Sequence, residues 1–100
     1  MIEHYKLFRF SGQGVSPEVK TALEEELPGL KRAFSGRIRG VDVLENCAHA
    51  PDSMDLMICV RAEDEASLQA YLSSQRHRGL TARIRPFVTS ACGLESSRPE

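Results

Sequence analysis

The stretch MDLMICV, residues 54–60, decides the fold. Apart from Asp55 it is continuous apolar sequence, so it reads as a strand buried on both faces. Helices can cover one face of such a strand. In a chain of 100 residues, which buries roughly 60–70% of the surface its unfolded form exposes, the other face is most easily covered by a second copy. Working back from this stretch, AHAPDS at 48–53 is a loop and RIRGVDVLENC at 37–47 is a second strand. Gly40 breaks its alternation and marks a bulge. Ser35-Gly36 ends the element before it. That element begins at Ser16-Pro17, where a hydroxyl caps free N–H groups and proline suits the first helical position. Val19, Leu23, Leu27, Leu30 and Phe34 form one apolar stripe along it. Pro28-Gly29 interrupts the stripe and predicts a kink or a break into two short helices. SGQG at 11–14 is a turn.

IEHYKLFRF at 2–10 alternates as a strand. His4, Lys6, Phe8 and Phe10 fall on one face with Ile2; Glu3, Tyr5, Leu7 and Arg9 fall on the other. Working forward, Asp64 caps a helix carrying Leu68, Tyr71 and Leu72 at helical spacing. Gln75 to Arg85 is a further short helix with Leu80 and Ile84 inward, stopped by Pro86. FVTSACGL at 87–94 is the last strand, and ESSRPE at 95–100 is expected to be a flexible tail after a domain spanning 1–94. The order is strand, helix, strand, strand, helix, strand. This is the α+β, ferredoxin-like βαββαβ plan, a four-stranded antiparallel sheet with helices on one face.

Composition narrows the functions. Thirteen basic against fourteen acidic side chains give a net charge of −1, which argues against a nucleic-acid-binding domain. No apolar run reaches the ~20 residues of a membrane span, and the first residues lack the layout of a signal peptide. Three cysteines, Cys47, Cys59 and Cys92, include no CxxC pair, so neither a disulfide framework nor a zinc site is expected. The expected setting is a reducing cytoplasm. His4, His49 and His77 lack metal-ligand spacing, and His49 sits in a polar loop. Arg37, Arg39, Arg76, Arg78, Arg83 and Arg85 read as a solvated face with salt bridges.

Three segments carry a resemblance: IEHYKLFRF at 2–10, DLMICVRA at 55–62, and YLSSQRH at 71–77 followed by RP at 85–86. In order and spacing they resemble the stress-responsive A/B barrel domain family, a branch of the dimeric α+β barrel proteins, over about residues 1–94. The chain departs from the family pattern at Met54, where a tyrosine is common. It departs again at Ser74-Gln75-Arg76-His77, where only the second histidine of a His-Pro-x-His motif is kept. The resemblance implies a homodimer in which two sheets close back to back through their open faces, here with Tyr5, Leu7, Met57 and Cys59.

The resemblance also implies a pocket between sheet and helices. In the family's polyketide-cyclase members the matching positions would make His77 a general base, Tyr71 an oxyanion donor and His4 an orienting partner. Imidazole has the near-neutral pKa such a base needs, and a phenol can steady an enolate. In the structural alternative, His77 bonds a helix end and Tyr71 simply packs. Lys6 shares the face of His4 and Phe8, where it either holds an anionic group, serves as an amine nucleophile, or snorkels to water at the pocket's open end. The remaining expected lining is Phe8, Leu23, Leu27, Leu56, Ile58, Leu80 and Ile84, suited to a small apolar or aromatic ligand. Neither a metal nor a tightly held cofactor is expected. The first expectation is a homodimeric domain holding such a ligand. The second is a cyclase- or lyase-type enzyme, and the third an antibiotic-biosynthesis-type monooxygenase on the same architecture.

Overall fold

The computed structural model describes residues 1–12, 14–48 and 50–99; His49 lies outside the described residues. Strand β1 (Ile2–Phe10) is followed by helices α1 (Pro17–Glu26) and α2 (Leu30–Ala33), then strands β2 (Ile38–Glu45) and β3 (Leu56–Ala62). Helices α3 (Glu65–Leu72) and α4 (Gln75–Ile84) lead through a single 3-10 turn at Arg85–Phe87 to strand β4 (Val88–Ser97). The four strands pair in the order β2-β3-β1-β4, antiparallel throughout. This is the ferredoxin-like α+β arrangement.

Local chemistry sets the boundaries. The Ser16 hydroxyl accepts from the Val19 N–H at 3.3 Å, with Pro17 in the first turn. The Asp64 carboxylate accepts from the Ser67 N–H at 2.8 Å and opens α3. Pro28-Gly29 splits the long apolar stripe into α1 and α2. Gly29 stands there at φ 85°, a left-handed conformation that costs glycine nothing. The register of β2 against β3 shifts between Ile38 and Gly40, the expected bulge. A Cβ at Gly40 would stand 2.7 Å from an Arg61 guanidinium nitrogen, so glycine is the residue that lets this side chain cross the bulge.

Two boundaries differ from the sequence reading. Strand β3 spans 56–62 rather than 54–60, because Asp55 is spent on tying loop to sheet. Its N–H donates to the Phe8 carbonyl and its carboxylate accepts from the Phe10 N–H, each at 2.8 Å. At the other end Arg61 and Ala62 still pair with Glu3 and Ile2. Residues 95–97 are not a flexible tail: Glu95, Ser96 and Ser97 pair with His4, Glu3 and Ile2, and the Arg98 N–H donates to the Met1 carbonyl. Backbone pairing is indifferent to the polarity of side chains on an edge strand, so hydropathy hid the extension.

The core lies between the sheet and the helices. Leu56, Ile58, Val60 and Ala62 of β3 face Val19, Leu23, Leu30, Leu68, Leu80 and Ile84. The opposite face is open in the single chain. Register aligns Leu44, Met57, Leu7 and Cys92 in one row, and Asp42, Cys59, Tyr5 and Leu94 in the next. Cys59 is buried beneath its neighbours, whereas Leu44 and Leu94 stand exposed. Buried Glu3 accepts from the Tyr5 hydroxyl at 3.0 Å and pairs with the Arg98 guanidinium.

Candidate functional site

Alternation along β1 turns His4, Lys6 and Phe8 toward the helices, and α3 and α4 bring Tyr71, Leu72, His77, Leu80, Thr81 and Ile84 down over them. With Ile58 and Val60 as floor, these residues enclose a pocket of about 290 Å³. That is near the lower end for small-molecule sites, and the chemistry is the usual one of apolar walls with a few convergent polar groups.

Two serines place the polar groups on the helical side. Ser73 closes α3, and the Ser74 hydroxyl caps α4 by accepting from the His77 N–H at 3.2 Å. The same hydroxyl donates to the Tyr71 carbonyl at 2.6 Å. One side chain therefore ties the end of α3 to the first turn of α4 and fixes how Tyr71 and His77 approach. Their rings meet edge to face with centroids 5.2 Å apart, and Phe34 supports Tyr71 from another side at 5.7 Å. Tyr71 is 2% exposed. Burial pushes its phenol up to about 12, so it is a proton donor throughout the neutral range. The hydroxyl has no protein hydrogen-bond partner among the described residues.

Burial lowers the His77 pKa first. The Leu72 backbone works against that shift, while the nearby His4 and Lys6 add to it. The position of His77 in the first turn of α4 acts in the same direction, since the positive end of a helix dipole disfavours a cation. The ring is therefore neutral at neutral pH and offers an unprotonated nitrogen. His4, on the strand side, sets its Nδ1 3.3 Å from Oε1 of Glu95 on β4. The three groups can thus accept a proton, donate a hydrogen bond and orient a polar substituent within one small cavity.

Of the residues the sequence singled out, the structure gathers His4, Lys6, Phe8, Ile58, Tyr71, Leu80 and Ile84 with His77 around this pocket. Leu23, Leu27 and Leu56 are a correction. They line a separate, shallower groove of about 490 Å³ with Val15, Pro28 and Val43, between α1 and the β2 edge. Of that groove's charged groups, Lys20 and Glu45 reach each other at 3.6 Å, and Glu24 lines it as well. Val60, Leu72 and Thr81 complete the pocket and were missed. Val60 continues the 56, 58 alternation, and Thr81 lies one turn beyond His77, so spacing carried both signals. Among the described residues no group of three or more His, Cys, Asp or Glu could hold a metal ion. No helix among them is long and apolar enough to cross a membrane. Arg39 pairs with Glu63, and Arg83 with Glu25 and Glu26, as a solvated face would.

Comparison with known proteins places this geometry in context. The model of the stress responsive A/B barrel domain matches residues 2–97. No curated protein matches the sequence significantly. Among solved structures, a dimeric ferredoxin-like protein of unknown function from Thermobifida fusca is 22% identical with a TM-score of 0.78, over 97% of this chain and 90% of that one. A Dabb-family protein with a ferredoxin-like fold from Mesorhizobium loti is 21% identical with a TM-score of 0.68, over 99% and 97%. A hydroxynitrile lyase from Passiflora edulis is 11% identical with a TM-score of 0.75, over 99% and 94%. At these identities the structural likeness concerns the fold.

Proposed function

The chain belongs to the stress responsive A/B barrel domain family, and from that premise we propose that it acts as a homodimer binding a small, largely apolar molecule between the sheet and helices α3 and α4. One observation carries the binding reading. A cavity of about 290 Å³ holds His4, Lys6, Tyr71 and His77 on otherwise apolar walls. A plain core would fill this space with side chains, and the Tyr71 hydroxyl, which no protein group among the described residues engages, lines the cavity where a ligand's acceptor can meet it.

The dimer reading rests on the open sheet face, where Tyr5, Leu7, Leu44, Met57 and Leu94 lie together, and on relatives described as dimeric. Two such faces packed together give an apolar interior with charged groups at its borders. The free thiols of Cys47 and Cys92, both exposed, fit a reducing cytoplasmic setting.

A second reading is favoured by the neutral His77 beside the free Tyr71 phenol. In it the pocket catalyses a cyclase- or lyase-type reaction. His77 removes a proton from carbon beside a carbonyl, Tyr71 donates a hydrogen bond to the developing enolate oxygen, and His4 orients the substrate. The protein resembles a hydroxynitrile lyase in fold alone, so the chemistry rests on these three side chains.

Thermal-shift and calorimetric titration with small aromatic acids, phenols and oxo acids tests both readings. Binding with a raised melting temperature supports the pocket, and a panel without a single binder overturns it. Turnover of an oxo compound that disappears in His77→Gln, with binding retained, selects the enzyme over the binding domain.

A further inference from the structure

We propose that the ligand of this pocket is a small aromatic or branched aliphatic monocarboxylate, its acid group held by the Lys6 ammonium at the mouth and its body by Phe8, Ile58, Val60, Leu80 and Ile84. The assignment rests on the ligand-binding reading above and adds the charge of the ligand to it. Lys6 lies between His4 and Phe8 on the pocket side of β1, and its cross-strand partners are Ile58 and Gly93. Neither can neutralise an ammonium. Gly93 leaves bare backbone beside the lysine stem: a Cβ there would stand 3.6 Å from Lys6 Cδ and 3.2 Å from the Tyr5 carbonyl oxygen. The tight contact is with the Tyr5 carbonyl oxygen, while the lysine stem lies at ordinary contact distance and has no side chain across from it at this position.

The surrounding charges leave Lys6 without a counter-ion. The acid nearest in register on this face of β4, Glu95, sits against His4 at 3.3 Å. Helix α4, which roofs the pocket, has the sequence QRHRGLTARI, with three arginines and no acid. On α3 the acidic residue is Glu65 in the first turn, at the opposite end from Tyr71. Lys6 lies close enough to His77 to disfavour its protonation. The mouth thus presents one unpaired cation beside two imidazoles and a phenol, above apolar walls. An ammonium partly withdrawn from water can donate a hydrogen bond to a neutral ligand, but only an anion also neutralises its charge. The apolar lining requires that the anion carry a hydrophobic body, which separates a carboxylic acid from inorganic phosphate.

The experiment compares 4-ethylbenzoate, 4-ethylbenzamide, 4-ethylphenol and inorganic phosphate by calorimetry on the full chain, in wild type, Lys6→Met and Lys6→Arg. The expected result is a benzoate that binds at least about tenfold tighter than the amide in wild type and in Lys6→Arg. In Lys6→Met the preference for benzoate over the amide should disappear, and a preference that survives in Lys6→Met overturns the role of Lys6. Equal binding of benzoate and amide in wild type overturns the carboxylate assignment while leaving the pocket standing. Lys6-dependent binding of phosphate as tight as benzoate also overturns it, in favour of a simple anion site. Failure of all three aromatic probes to bind removes the pocket reading and this assignment with it.

Discussion

Tyr71 and His77 come from different helices, yet their rings meet edge to face at 5.2 Å and 71°. The contact spans the break between α3 and α4, so each ring fixes the other at the wall of the cavity. An edge-to-face pair contributes about 0.5–1.5 kcal/mol beyond its burial. It leaves both polar tips free of each other, the phenol protonated and the imidazole neutral with one ring nitrogen bare.

Tyr71→Phe separates packing from chemistry. The ring contact with His77 and Phe34 survives, and only a hydroxyl without a protein partner is lost. The melting temperature is expected to stay level, since no protein hydrogen bond is lost and the hydroxyl lines the cavity rather than the sealed core. Affinity for any pocket ligand that bonds the phenol should fall about tenfold. A melting temperature several degrees lower, measured by calorimetry, would reveal an internal partner for the hydroxyl and contradict the free-donor geometry.

Acid should destabilise the protein through His77. Its folded pKa lies below the ordinary 6.5, chiefly because of burial. Between the two values the unfolded chain binds a proton that the folded chain refuses, so stability rises with pH across that window and falls as pH drops below about 6.5. The loss levels off once the folded-state pKa is passed. The Asp64 carboxylate is held below its ordinary 3.8 by hydrogen bonds from Ser67, so its stabilisation persists to more acid conditions and then fades. Urea midpoints measured from pH 7.5 to 5 should therefore slope downward in wild type and flatten in His77→Gln. An identical slope in the variant would assign the effect elsewhere.

The elements were legible in the sequence wherever punctuation and periodicity agreed. Ser16-Pro17, Pro28-Gly29, Gly40 and Asp64 each act through their own backbone chemistry, which needs no tertiary partner. The misread boundaries involve residues whose roles depend on contacts distant in sequence: Asp55 bonding to Phe8 and Phe10, and Glu95 lying opposite His4. In the site, strand alternation correctly grouped His4, Lys6 and Phe8, and helical spacing grouped His77, Leu80 and Ile84. Leu23, Leu27 and Leu56 were misplaced because periodicity tells which face of an element is buried but not which part of the sheet lies beneath it.

Ser74 tests how far the helix break governs the pocket. Its hydroxyl accepts from the His77 N–H and donates to the Tyr71 carbonyl. Ser74→Ala should cost about 1 kcal/mol, typical of a lost N-cap. It should also weaken ligand binding, because both pocket rings hang from the two ends it joins. Ser74→Asp restores the cap but not the donated bond. Recovery of stability without recovery of affinity in that variant would show that the tie to Tyr71 positions the site, while equal recovery of both would reduce Ser74 to an ordinary cap.

Leu7 tests the dimer. It sits in the open face in register with Met57 and Cys92, one row from Tyr5, with Leu44 and Leu94 exposed to the same side. Two chains joined through these faces should sediment at twice 11.1 kDa and melt at a temperature that rises with concentration. Leu7→Glu places a carboxylate in the centre of the joined sheets, where a buried unpaired charge costs several kcal/mol. The variant should sediment as a single chain or unfold. Lys31→Glu, on the exposed surface of α2, changes charge without touching the sheet and should leave the particle mass unaltered. A wild-type chain that sediments as one copy at micromolar concentration, with a melting temperature independent of concentration, would overturn the back-to-back arrangement.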